Sequence, residues 1–196
     1  MRRRRRRSPF TLNTFIPLFR KTSLPVLFFI GIAIGYFSFE PLNPKWQSTN
    51  EPQKLNVCFT PGGKCTDLIV REIGKAKHSI KMQTYSFTSH PIAEALVEAS
   101  KRGVKVEALI DRTLLKNPHS VLPLLKANRI RFKVDRVPGI AHNKIIIIDN
   151  DFLITGSFNF TKAAQERNSE NVVLIKDPMM VKYYLENWEK RASSSR

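Results

Sequence analysis

Acidic residues are scarce in this 196-residue chain, with 16 Asp/Glu against 33 Lys/Arg and a formal net charge of +17. A balance of that sign suits a polyanionic partner. The excess is uneven: residues 1–45 hold nine Lys/Arg against one acid, Glu40, and the remainder holds 24 against 15. The part beyond the N-terminal segment is therefore basic in its own right. Cysteine is nearly absent. Cys58 and Cys65 are the only two, and with no His pair beside them they argue against a zinc site. Carboxylates are nowhere clustered, so no metal cage is implied. No internal repeat or low-complexity tract occurs beyond the arginine run Arg2–Arg7. One domain with an appendage is the organisation that remains.

The appendage divides into three. Residues 1–23 are a basic N-terminal segment, residues 24–39 an uncharged apolar stretch, and residues 40–54 a Pro-rich linker. The apolar stretch is slightly shorter than the ~20 residues that usually span a bilayer and near the upper end of a signal-peptide core. Positive charge ahead of it favours a cytoplasmic N-terminus and translocation of the domain on its C-terminal side. No cleavage site stands out, so a signal anchor is favoured over a cleaved signal peptide. The expected location is the non-cytoplasmic (periplasmic) side of a membrane, tethered to it, or outside the cell if cleavage occurs. Pro61-Gly62-Gly63 makes a turn between the two cysteines. In an exported domain a Cys58–Cys65 disulfide is expected, whereas in the cytosol two free thiols are the default.

Residues 55–196 alternate strand and helix patterns. Strands are expected over 55–59, 79–87, 104–111, 130–134, 145–148, 152–155 and 171–175. Helices are expected over 66–77, with Thr66 as N-cap, then from Ser89-His90-Pro91 to Gly103, over 121–127 and over 178–191. The alternation implies an α/β domain with a mixed, mostly parallel sheet sandwiched between helices, antiparallel at one hairpin.

That hairpin carries the chemistry. Ile145 to Ile148 is β-branched and apolar on both faces, as in a buried central strand. His142 and Lys144 stand at its entrance, and Asn150-Asp151 turns the chain into a returning strand. Gly156 ends that strand, with Ser157 and Asn159 beyond it sharing a face. The hairpin brings its ends together, so an imidazole, a cation, a hydroxyl and an amide can meet. Such a set suits a phosphodiester: Lys144, Ser157 and Asn159 donate to non-bridging oxygens while His142 attacks phosphorus. Phe158 and Phe160 read as core more readily than as base-stacking platforms.

His142-x-Lys144-x4-Asp149 followed by Gly156-Ser157-x-Asn159 resembles the HKD motif of the phospholipase D superfamily. Gln83–Thr88, Thr155–Ala164 and Asn168-Ser-Glu-Asn171 are similar to its small single-motif bacterial endonucleases, over residues 56–191. The resemblance implies a covalent phosphohistidine formed on His142 and the carboxylate of Glu170 holding the imidazole. With carboxylates unclustered and Lys144 as the cation, catalysis without metal or other cofactor is expected. Asp149 belongs to the motif, but seven residues of extended strand put it about 23 Å from His142, so it is read as structural.

One motif supplies one imidazole, while in-line displacement needs a nucleophile and a leaving-group acid on opposite sides of phosphorus. A two-fold homodimer sharing the site, with His142 of the partner as general acid, is the expected solution. Nucleic acid is the expected substrate, with Arg112, Lys116, Lys162 and Arg167 near the site and backbone contacts dominating. The alternative is a membrane-tethered lipid phosphodiesterase acting on cardiolipin or other phospholipids.

Overall fold

The computed structural model describes residues 56–195; segments 1–23, 24–39 and 40–54 lie outside the described residues. Seven strands form one sheet: β1 (Asn56–Thr60), β2 (Ser79–Thr84), β3 (Lys105–Ile110), β4 (Arg131–Val134), β5 (Lys144–Ile148), β6 (Phe152–Gly156) and β7 (Glu170–Ile175). Five α-helices accompany them: α1 (Cys65–Gly74), α2 (His90–Lys101), α3 (Leu122–Ala127), α4 (Lys162–Glu166) and α5 (Pro178–Ser194). The strand order is β1-β7-β6-β5-β2-β3-β4, which puts the isoleucine strand in the middle. All five residues of β5 are buried. Ile146 and Ile148 pack with α1, α2 and α3 on one face, and Ile145 and Ile147 pack with Val181 and Trp188 of α5 on the other. A strand covered on both sides has no reason to alternate apolar with polar residues, and this one does not.

The α/β class and the helix–sheet–helix layering are as expected, but the sheet is not mostly parallel. Only β2–β3 and β3–β4 pair parallel. The pairs β1–β7, β2–β5, β5–β6 and β6–β7 are antiparallel. Parallel neighbours need a crossover, and only α2 and α3 act as one. Helix α1 instead leads from an edge strand to the middle of the sheet, and α4 lies in the connection between antiparallel neighbours.

Several element ends differ from expectation for local reasons. Thr66 is not the cap of α1. The helix starts a residue earlier, and the Thr66 N–H donates to Gln165 Oε1 at 2.8 Å. Strand β2 stops at Thr84, before Tyr85. Helix α5 runs to Ser194, held by a Trp188 Nε1 donation to the Met82 carbonyl (2.9 Å) and by Arg191 on the buried carboxylate of Asp135. The short α4 and a 3-10 turn at Arg112–Lys116 were not expected. Cys58 and Cys65 form a disulfide, tying β1 to the first residue of α1. Among the described residues no helix is long and apolar enough to cross a membrane.

Candidate active site

The entrance of β5 is built from three strand ends. Antiparallel pairing sets Thr84, the last residue of β2, opposite Lys144, the first of β5. Tyr85 therefore leaves the sheet beside the segment that carries His142. The two rings lie 4.7 Å apart by centroid, tilted at 55°. His142 itself is exposed. The peptide before it is fixed from below: the Ala141 N–H donates to Asp111 Oδ2 at 2.7 Å. The other oxygen of Asp111 accepts from the N–H and hydroxyl of Thr113, at 2.8 and 2.6 Å. Burial raises the pKa of the Asp111 carboxyl, but the bonds from Thr113 and Ala141 and the Arg112 charge outweigh it and hold the value below the usual one. An ionised Asp111 thus anchors the loop that carries His142.

Lys144 is buried, with 5% of its surface exposed. Its ammonium donates to the His142 carbonyl at 2.6 Å and sits 5.4 Å from the Tyr85 ring centroid, a cation–π distance. Burial pushes its pKa down, and the negative charge of Glu170 pushes back. A desolvated ammonium makes a stronger electrostatic partner for an anion than a hydrated one.

The outgoing side of the hairpin delivers the neutral donors. Ser157 Oγ donates to Glu170 Oε2 at 2.5 Å and accepts from the Asn171 N–H at 3.1 Å. Asn168 Nδ2 donates to the other Glu170 oxygen at 3.0 Å. Gly156 permits this approach: a Cβ there would stand 2.3 Å from the Asn171 carbonyl oxygen, at a φ of +141°. Phe158 and Phe160 point into the core, as the period-two reading required. Between them Asn159 holds its side-chain oxygen buried and without a partner. That oxygen only accepts, so the atom of Asn159 able to meet an anion is its amide Nδ2.

One expectation needs restating, and one stands as read. Both carboxylate oxygens of Glu170 are taken by Ser157 and Asn168, and among the described residues no hydrogen bond joins Glu170 to His142 within the chain. Asp149 stands at the other end of β5, where it accepts from the N–H groups of Lys77, His78 and Ser79 at 2.9, 2.7 and 2.8 Å. Burial raises its pKa, but those three donors bring it below the ordinary carboxylate value. It closes the hairpin turn at φ +53° and is remote from the imidazole. The residues that sequence reasoning missed are Tyr85 and Asp111. Both reach the site through strand pairings that a linear sequence does not display. Asn168 and Asn171 were visible only as neighbours of Glu170. Among the described residues no three His, Cys, Asp or Glu side chains are grouped to hold a metal.

Residues 69–191 match the family model described as cardiolipin synthase, PLD-like domain. The chain belongs to the phospholipase D superfamily. A phospholipase D family member from Salmonella typhimurium, Nuc, shares 39% identity and a TM-score of 0.70, over 74% of this chain and 97% of that one. A phospholipase D from Rickettsia prowazekii is 43% identical over 191 residues, covering 88% of this chain and 93% of its own. The human mitochondrial cardiolipin hydrolase is 31% identical over 134 residues, covering 68% of this chain and 53% of its own. The chain is accordingly a phosphodiester hydrolase of the superfamily.

Proposed function

We propose that this superfamily member is an endonuclease of low sequence selectivity that cleaves DNA and/or RNA through a phosphohistidine in a site shared by two chains. The observation that carries the reading is the exposed His142 imidazole beside a buried Lys144 ammonium. His142 attacks phosphorus, forming a P–N bond as the P–O bond to the leaving oxygen breaks. A second imidazole protonates that oxygen, then takes a proton from the water that hydrolyses the P–N bond. Lys144 and Asn159 hold the non-bridging oxygens, joined by Ser157 once its hydroxyl proton turns from Glu170 to the phosphate, and the Glu170 charge keeps Lys144 protonated. No step calls for a metal.

The second imidazole is assigned to a partner chain: His78 sits by Asp149 at the far end of β5, and among the described residues no hydrogen bond or ring contact joins His90, which opens α2, or His119, in the loop before α3, to His142. A two-fold partner supplying its own His142 fits this need. The nuclease reading rests on the 24 Lys/Arg against 15 Asp/Glu in residues 46–196, a surface suited to backbone phosphates. The relatives named phospholipase D and cardiolipin hydrolase favour the second reading, a lipid phosphodiesterase. We also assign residues 24–39 to a membrane tether with the domain on the non-cytoplasmic side, or to a signal segment whose cleavage leads to secretion. The Cys58–Cys65 disulfide supports an oxidising compartment.

The test incubates full-length protein in detergent with plasmid, single-stranded DNA, RNA and phospholipid vesicles in excess EDTA, beside His142→Ala. Nucleic-acid cleavage that vanishes in the variant is expected. Lipid turnover with intact nucleic acid overturns the substrate assignment, and a strict requirement for added Mg²⁺ overturns the mechanism.

A further inference from the structure

A cavity of about 530 Å³ opens where the start of α2 meets the loop that the disulfide closes and the first turn of α4. Its wall includes Lys64, Thr66, Ser89, His90, Lys162 and Gln165. Ser89 is the N-cap residue of α2, yet its hydroxyl makes no capping bond and no other hydrogen bond among the described residues, although the residue is only 6% exposed. The N–H groups of His90 and Ile92, in the first turn of this twelve-residue helix, also donate to no carbonyl. A helix N-terminus with its cap hydroxyl unspent presents donors and partial positive charge to whatever occupies the cavity.

Two acids share this wall: Glu166 faces Lys162 at 3.7 Å, and Asp67 lies in the first turn of α1. The donors without a protein partner among the described residues are the Lys64 ammonium, the Ser89 hydroxyl and the amides opening α2. They suit a tetrahedral oxyanion. The cavity is also tied to the segment that carries Asn159 beyond β6. The N–H groups of Thr88 and Ser89 both donate to the Phe160 carbonyl at 2.9 Å, one residue beyond Asn159.

We infer that this cavity is a second phosphate subsite, which binds a phosphodiester or phosphate group of the substrate other than the one being cut. The inference rests on the phosphodiesterase reading of the His142 site and deepens it. The enzyme would grip substrates that carry more than one phosphate, whether consecutive nucleotides or a lipid with two phosphates, better than those with a single one. The disulfide holds Lys64 in place at the rim.

The test compares full-length protein with a Ser89→Ala/Lys64→Gln double variant. Neither residue belongs to the His142 cluster, and equal melting temperatures verify the fold. Binding is read in a His142→Ala background, so the readout survives even if no catalysis is found. The probes are a fluorescent trithymidylate, vesicles containing cardiolipin and vesicles containing phosphatidylglycerol. Loss of about two charge-assisted hydrogen bonds weakens binding of the preferred multi-phosphate probe by at least tenfold. The arm that responds, oligonucleotide or cardiolipin, identifies the source of the second phosphate. With His142 present, KM for that substrate rises, while turnover of bis(p-nitrophenyl) phosphate, which has one phosphodiester, stays within twofold. Unchanged affinity for both multi-phosphate probes overturns the inference, and so does an equal loss on the single-phosphodiester substrate.

Discussion

Lys144 is where burial and function meet most directly. In the proposed mechanism its ammonium must be charged to hold a phosphate oxygen, yet burial lowers its pKa below the ordinary 10.5. Activity is therefore present while Lys144 is protonated and lost as pH rises through this lowered value. The alkaline limb of kcat/KM is expected below that of an exposed lysine. Because the Glu170 charge opposes the shift, Glu170→Gln moves the limb to still lower pH, and a limb that does not move removes Glu170 from this role. Lys144→Met costs about 10²–10³-fold in kcat, the range for deleting one oxyanion donor in a dry site. Asp111→Asn keeps a carbonyl for Thr113 but turns the Ala141 acceptor into a donor. Activity should fall with little loss of substrate binding, as expected for a residue that only positions the loop that carries His142.

At the scale of elements, β5 poses a question of register. Four identical isoleucines pack about equally well if the strand slips by one residue, so the apolar run alone does not fix its alignment. The ends do: Asp149 binds three backbone N–H groups at one end, and Lys144 pairs opposite Thr84 at the other. Asp149→Ala is predicted to lower stability by about 1.5–3 kcal/mol, the range for bonds to a charged acceptor, and to reduce activity from the far end of the strand. The folded carboxyl titrates below its ordinary value of 3.8. Its stabilisation is thus complete above that value and lost as pH falls through the folded one. Denaturant melts of the variant and parent should converge in acid. Ile146→Ala, by contrast, costs about 2–5 kcal/mol at any pH through the cavity it leaves. The isoleucine strand, its polar turn and the inward phenylalanines were legible because burial and periodicity are local signals. The β2–β5 antiparallel pairing was not, since alternating helix and strand patterns look the same for a crossover and for a return. Tyr85 and Asp111 stayed hidden for that reason.

For the whole molecule, the decisive quantity is the number of chains per active site. His142, Lys144, Ser157 and Asn159 are all present in one chain, but the second imidazole is not among them. Co-purified mixtures of His142→Ala and wild-type chains should then show activity falling with the square of the wild-type fraction. A linear fall would mean that each chain works alone. Nucleic-acid binding should weaken steeply with added salt if the basic surface carries it. The disulfide closes a short loop, and its reduction is predicted to lower stability by about 2–3 kcal/mol on the chain-entropy scale. The Cys58–Cys65 link has one more consequence, in mechanics. Any pull arriving from the N-terminal side enters the domain at β1, an edge strand whose only strand neighbour among the described residues is β7. Peeling from Asn56 would reach the crosslink two residues in, and from there the load passes covalently to α1. With the disulfide formed, a pull on the N-terminal side is carried past the outer strand, whereas the reduced protein would come apart from that edge first.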